Sequence, residues 1–66
     1  MVSEARRQEL ARKGYFIEDM GVEYGLEYEG QFRWMNSRTN EFQDYEASYS
    51  INDAWTAADL HDQEAA

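Results

Sequence analysis

The chain has 66 residues, no cysteine, no proline and one histidine, with fourteen acids against six bases for a formal net charge of −8. A chain this short makes one domain, buries only about 60% of the surface its unfolded form exposes, and has no disulfide or thiolate site to reinforce it. Its acidity excludes the basic face that direct binding to nucleic acid or an anionic membrane requires.

Ser3 is a natural N-cap for a helix over residues 4–13, where Ala, Leu, Arg, Gln, Glu and Lys favour helix and Glu9 and Lys13 stand in the stabilising i,i+4 order. Gly14 supplies the C-cap after basic residues that suit the helix dipole. The apolar stripe of Val2, Ala5 and Leu10 is thin, which predicts a surface helix. Tyr15-Phe16-Ile17 reads weakly as strand, with continuation of the helix toward Glu18 as the alternative. From Val22 a period of two is plain. Val22, Tyr24, Leu26 and Tyr28 alternate with Glu23, Gly25, Glu27 and Glu29, predicting a strand over 22–29.

Gly30 turns the chain into a second strand over 31–36, in which Phe32 and Trp34 alternate with Arg33. Residues 36–40, Asn-Ser-Arg-Thr-Asn, are turn chemistry, and a shorter third strand follows over 41–46. Ser50 caps a last helix over 51–61, with Asp53 three residues on and Tyr49 placed to staple over Ala54. Ile51, Ala54, Trp55 and Ala58 recur at helical spacing and should face the sheet, while residues beyond His61 should fray. The fold class is α+β: an N-terminal helix, a three-stranded antiparallel β-sheet, and a C-terminal helix packed on the sheet's aromatic face.

Little in the chain points to catalysis. His61, near Asp59 and Asp62, has the residue type of a general base or pH switch, but a lone histidine close to a helix C-terminus is better read as a part-exposed residue favoured by the dipole. The carboxylates follow neither calcium-loop nor His-Glu-x-x-His spacing, and no Gly-Lys-Ser/Thr follows Gly21, Gly25 or Gly30. No catalytic residue, metal site or cofactor is therefore expected, and the chain reads as a non-enzyme. Tyr24, Tyr28, Phe32 and Trp34 have the composition of a single-strand stacking platform but lack flanking Lys and Arg. Core packing is the better reading, with Tyr24 and Tyr28 also available as interface anchors.

What remains is the charge. Residues 1–13 hold four bases against two acids, and residues 14–66 hold twelve acids against Arg33 and Arg38. One reading is a solvated face that serves only solubility. The other is a recognition surface. Alternate residues on a strand stand roughly 6.8 Å apart, so Glu27 and Glu29 would form a regular file that Glu23 continues beyond Gly25. B-DNA carries about one charge per 1.7 Å of axis, so the excess of acids in residues 14–66 matches roughly five base pairs.

A short, acidic, cysteine-free chain with Gly25-Leu26-Glu27-Tyr28-Glu29-Gly30 and a closing Ser50-Ile51-Asn52-Asp53-Ala54-Trp55 resembles phage-encoded accessory proteins. Among these it is most similar in build to small anti-CRISPR proteins, several of which act as DNA mimics on Cascade-type surveillance complexes. The resemblance implies a basic partner, a Cascade-type CRISPR effector subunit, met by a monomer in the bacterial cytoplasm. It implies that Glu23, Glu27, Glu29, Glu41, Asp44 and Glu46 occupy a Lys/Arg-lined groove that otherwise receives DNA, with Tyr24 and Tyr28 adding contacts. Arg6-Arg7 and Arg12-Lys13 depart from a uniformly acidic mimic, so the first helix either faces away from the partner or neutralises acids of its own fold. Two other readings stay open: an inhibitor or adaptor of another bacterial protein through tyrosines, and a self-associating antitoxin-like module. The absence of a long apolar stretch near Met1, or of any run approaching a membrane span, fits retention in the cytoplasm.

Overall fold

The computed structural model describes residues 1–44 and 46–65. Its first helix, α1 (Glu4–Arg12), begins where Ser3 Oγ accepts the amide of Arg6 at 3.1 Å. It ends at Lys13, and Gly14 follows with φ 102°. A side chain at Gly14 would meet Asn36 Oδ1 and the Arg38 stem, so both the left-handed backbone and the close approach call for glycine. The helix lies at the surface, as its thin stripe implied, with Leu10 its one buried residue. Leu10 is fully buried and Val2 nearly so, because two well-placed apolar residues suffice to anchor one face.

Of the two readings of the next segment, strand is the one the structure holds. β1 (Tyr15–Asp19) pairs antiparallel with β2 (Phe32–Asn36), setting Ile17 opposite Trp34 and Glu18 opposite Arg33. Tyr15, Ile17, Trp34 and Asn36 share one face and Phe16, Glu18, Arg33 and Met35 the other, since directly paired residues lie on the same side. The first face carries the core, where Tyr15 and Trp34 join Val2, Leu10 and Ala58, with Ile17, Trp55 and Ala57 packed against them. Tyr15 meets Trp34 edge-on, with ring centroids 5.5 Å apart.

The strand expected over 22–29 does not form. Asp19 Oδ1 instead accepts the amides of Gly21 and Val22, capping a short helix, α2 (Met20–Tyr24). Gly25, at φ 109°, breaks that helix, and Leu26–Tyr28 follow as one 3₁₀ turn before Gly30. The alternation at Val22, Tyr24, Leu26 and Tyr28 finds no sheet to join, and Val22 and Leu26 stay 78% and 86% exposed. Tyr24 and Tyr28 are exposed as well, so of the four aromatics read as core only Trp34 is fully buried.

Beyond β2 the expected third strand is reduced to two isolated bridges, Met35 with Phe42 and Phe32 with Ser48. The register slips by three residues between them, and position 45 of the expected 41–46 strand lies outside the described residues. Gln43 spans the interruption. Its amide donates to Trp34 O, its side-chain oxygen accepts the Trp34 amide at 3.3 Å, and its side-chain nitrogen donates to Glu46 O and Ser48 Oγ. Among the described residues the sheet is thus two-stranded and antiparallel.

The last helix, α3 (Ile51–Ala65), is capped by Ser50 Oγ as its sequence predicts, and it continues past His61 instead of fraying. Ala54 and Ala58 are fully buried, and their small side chains let α3 lie close to its neighbours. Ile51 and Tyr49 are exposed, so neither the full apolar stripe nor the Tyr49 staple is used. α1 and α3 pack together on one face of the sheet, and α2 lies against the other, where Tyr24 reaches Glu18 and Arg33.

Candidate protein-binding surface

Opposite charges on α1 and α3 first satisfy each other. Arg6 Nε donates to Asp59 Oδ1 at 2.7 Å, Arg6 Nη2 to Asp62 Oδ2 at 2.8 Å and Arg6 Nη1 to Glu9 Oε1 at 2.9 Å. Lys13 Nζ joins the same Asp62 oxygen at 2.8 Å. These contacts hold Asp62 below its usual carboxylate range, through Lys13 first and then Arg6, and push Arg6 above its ordinary value through Asp59 and then Asp62. Within the basic first helix and its cap, Arg6 and Lys13 thus neutralise acids of their own fold. Arg33 is likewise engaged, with Nε 2.7 Å from Glu18 Oε1 across the strand pair.

The six acids singled out from the sequence are arranged differently. Glu23 on α2, Glu27 in the 3₁₀ turn and Glu29 after it are exposed, and so are Glu41, Asp44 and Glu46 beyond β2. Among the described residues none of the six pairs with a lysine or arginine. Only Glu41 has a titratable side chain of basic type nearby, its Oε2 lying 3.3 Å from His61 Nε2. The regular file of carboxylates along a strand is not what presents them. Three project from a folded excursion between β1 and β2, and three follow the end of β2, with Asp44 and Glu46 where the register slips.

An aromatic ladder runs across the side of the sheet that α2 covers. The Arg33 guanidinium lies 5.2 Å from the Phe42 ring centroid and 5.6 Å from that of Tyr24, and Tyr24 meets Tyr28 edge-on at 5.8 Å. The Tyr24 hydroxyl accepts from Arg33 Nη2 at 2.7 Å and donates to Glu18 Oε2 at 3.3 Å. Tyr24 and Tyr28 are thus held in place while exposed, as interface anchors require. Arg33 and Phe42, which the sequence did not single out, connect the elements bearing the two groups of acids. Their cross-strand and bridge positions depend on the register, so no local pattern marks them.

α3 and the 40–44 loop border an open groove of about 720 Å³, which shares Phe42 with the ladder. Trp34, Phe42, Ala57, Leu60 and His61 line it together with Glu41, Asp44 and Glu64. His61 packs on the Trp34 ring at 4.3 Å, and its Nδ1 lies 2.7 Å from the Tyr15 hydroxyl. Burial, then the nearby charges of Asp62 and Glu41, push Tyr15 up from its ordinary value, which keeps its hydroxyl proton in place. The sole histidine is a wedge between core and groove. Leu60 and Glu64 stand one helical turn apart on α3, a pairing visible in sequence only once the facing loop is known.

Among the described residues no three His, Asp or Glu side chains converge in a way that could hold a metal ion, and no helix is long and apolar enough to cross a membrane. No family model matches the chain, and neither curated proteins nor solved structures give a significant match.

Proposed function

We propose that this protein is an acidic inhibitor that binds the basic, nucleic-acid-binding surface of a partner protein and occupies it in place of DNA. The observation that carries the reading is the division of labour among charges. Arg6, Lys13 and Arg33 are engaged by Glu9, Glu18, Asp59 and Asp62, while Glu23, Glu27, Glu29, Glu41, Asp44 and Glu46 stand exposed without a lysine or arginine. Such a surface steers a Lys/Arg-lined groove toward itself and weakens with salt, since screening falls to about 8 Å at physiological ionic strength. The resemblance to small anti-CRISPR proteins makes a Cascade-type effector subunit, met in the bacterial cytoplasm, the first partner to test.

The test is capture from bacterial lysate on the tagged protein, eluted along a salt gradient and challenged with duplex DNA. A nucleic-acid-binding complex released at moderate salt and displaced by DNA is expected. The combined Glu23→Lys, Glu27→Lys and Glu29→Lys variant should lose it while keeping the parent's circular dichroism. Full retention by that variant would remove the mimicry reading.

A second reading, an inhibitor or adaptor that docks through tyrosines, is favoured by the exposed, edge-on Tyr24–Tyr28 pair, whose Tyr24 hydroxyl is fixed by Arg33. It predicts capture that resists salt, ignores DNA and fails in Tyr24→Ala.

A further inference from the structure

We infer that the groove between α3 and the 40–44 loop is a docking site for a short amphipathic segment of the basic partner, an apolar anchor flanked by Lys or Arg. The inference rests on the proposed binding to a basic protein and adds where, and through what chemistry, that protein is recognised. At about 720 Å³ the groove lies within the roughly 300–1,000 Å³ span of ordinary ligand clefts. Its apolar lining includes Phe42 and Leu60, both about half exposed and so free to be covered, and Ala57 leaves room between them and the Trp34 floor.

Its charged lining is of one sign. Glu41, Asp44 and Glu64 line the groove and no lysine or arginine does. Among the described residues Asp44, Glu64 and Glu41 have no lysine or arginine partner, and Glu41 meets only the His61 ring. An apolar floor with a carboxylate rim complements a segment whose middle is apolar and whose flanks are cationic. It disfavours both an acidic peptide and a bare polycation, which would leave the floor uncovered.

The probe is a six-residue peptide, two leucines with two lysines on each side, titrated into the isotope-labelled full chain and followed by amide chemical shifts. Saturable shifts centred on Asn40, Phe42, Leu60, His61 and Glu64 are expected. Leu60→Ser, a change at an exposed position, should weaken binding about tenfold, as truncating an interface anchor does. Replacing the probe's leucines by serine should do the same, and replacing its lysines by glutamate should abolish binding. Shifts confined to residues 22–29, equal binding of the serine probe, or unchanged affinity in Leu60→Ser would overturn the groove as the site. Those outcomes are distinct from failure of the broader reading, which shows as lysate capture unaffected by the Glu23, Glu27 and Glu29 reversals whatever the peptide does.

Discussion

Gln43 is where a single side chain decides the course of the backbone, and replacing it tests that account. The residue is 3% exposed, and its side-chain oxygen is the acceptor for the Trp34 amide at the point where the third strand is interrupted. Gln43→Met keeps the bulk and removes the polar end. The buried Trp34 N–H then has no acceptor, which costs about 1–3 kcal/mol. The donors lost to Glu46 O and Ser48 Oγ matter less, because those part-buried groups can turn to water. Gln43→Ala creates a cavity as well, adding about 1 kcal/mol for the lost apolar contact. The expected ordering is parent, then Met lower by about 2 kcal/mol, then Ala lower by about 3 kcal/mol, from a total of about 3–10 kcal/mol for a chain of this length. Urea denaturation followed by tryptophan fluorescence measures all three, with equal slopes showing that the native state has not loosened. Amide exchange at Trp34 supplies the local readout and should accelerate in both variants. A Met variant as stable as the parent, with the Trp34 amide still protected, would refute the bridging role.

The β1–β2 register gives a second expectation. Met20 N to Gln31 O and Ser37 N to Gly14 O fix the parity, so the Phe16 and Glu18 amides point toward β2 while those of Tyr15 and Ile17 point to an edge with no backbone partner among the described residues. Hydrogen exchange should alternate accordingly along β1, and uniform protection would mean that the edge is covered. Leu10→Ala, at the largest fully buried side chain, should cost about 2–5 kcal/mol and lower the urea midpoint more than any single change at the exposed acids. Asp62 makes stability depend on acid. Its folded-state value lies below the ordinary 3.8, so its contribution is complete above that value and is lost as pH falls through the folded-state value. Asp62→Asn should flatten the acid limb of a stability–pH profile, and an unchanged limb would assign it to another carboxylate. Arg6→Gln makes the chain more acidic without touching the six exposed acids. It should delay elution from an anion exchanger yet leave the salt midpoint of partner release in place, and a shifted midpoint would show that bulk charge governs binding.

The parts of the fold legible in the sequence are those set by local chemistry. Ser3 and Ser50 cap the helices that begin after them, because a hydroxyl at that position satisfies an otherwise orphan amide wherever the helix packs. The strand at Phe32–Asn36 was legible too, since its alternation coincides with a real buried face. The same alternation over Val22–Tyr28 misled, because a period of two makes a strand only where another strand offers its edge. Here the edge of β2 is taken by β1, and Asp19 ahead of Gly21 diverts the chain into a helical turn. Asp19 as a cap, with glycines at 21, 25 and 30, was the available signal for that excursion. The exposed acids were legible from charge alone. The groove was not, since it brings Leu60 and Glu64 against a loop some twenty residues earlier in the chain, and the Arg33 ladder requires the strand register.

The placement of the acids also bears on how cleanly recognition can be separated from folding. The core is assembled from α1, the two strands and α3, whereas Glu23, Glu27 and Glu29 ride on the excursion between the strands, and Asp44 and Glu46 sit where the register slips. Those segments are held by a few specific hydrogen bonds, from Asp19 in one case and Gln43 in the other. They contribute no buried apolar residue to the core. Loops positioned by a scaffold are where binding residues can change at little cost to the fold. Charge reversal at the exposed acids should therefore leave the scaffold standing, so a loss of partner binding reports on contact. The bases that do support the fold, Arg6 and Lys13, are drawn to α3 by Asp59 and Asp62. With those four charges mutually satisfied, the outward field is set chiefly by the segments that the core does not need.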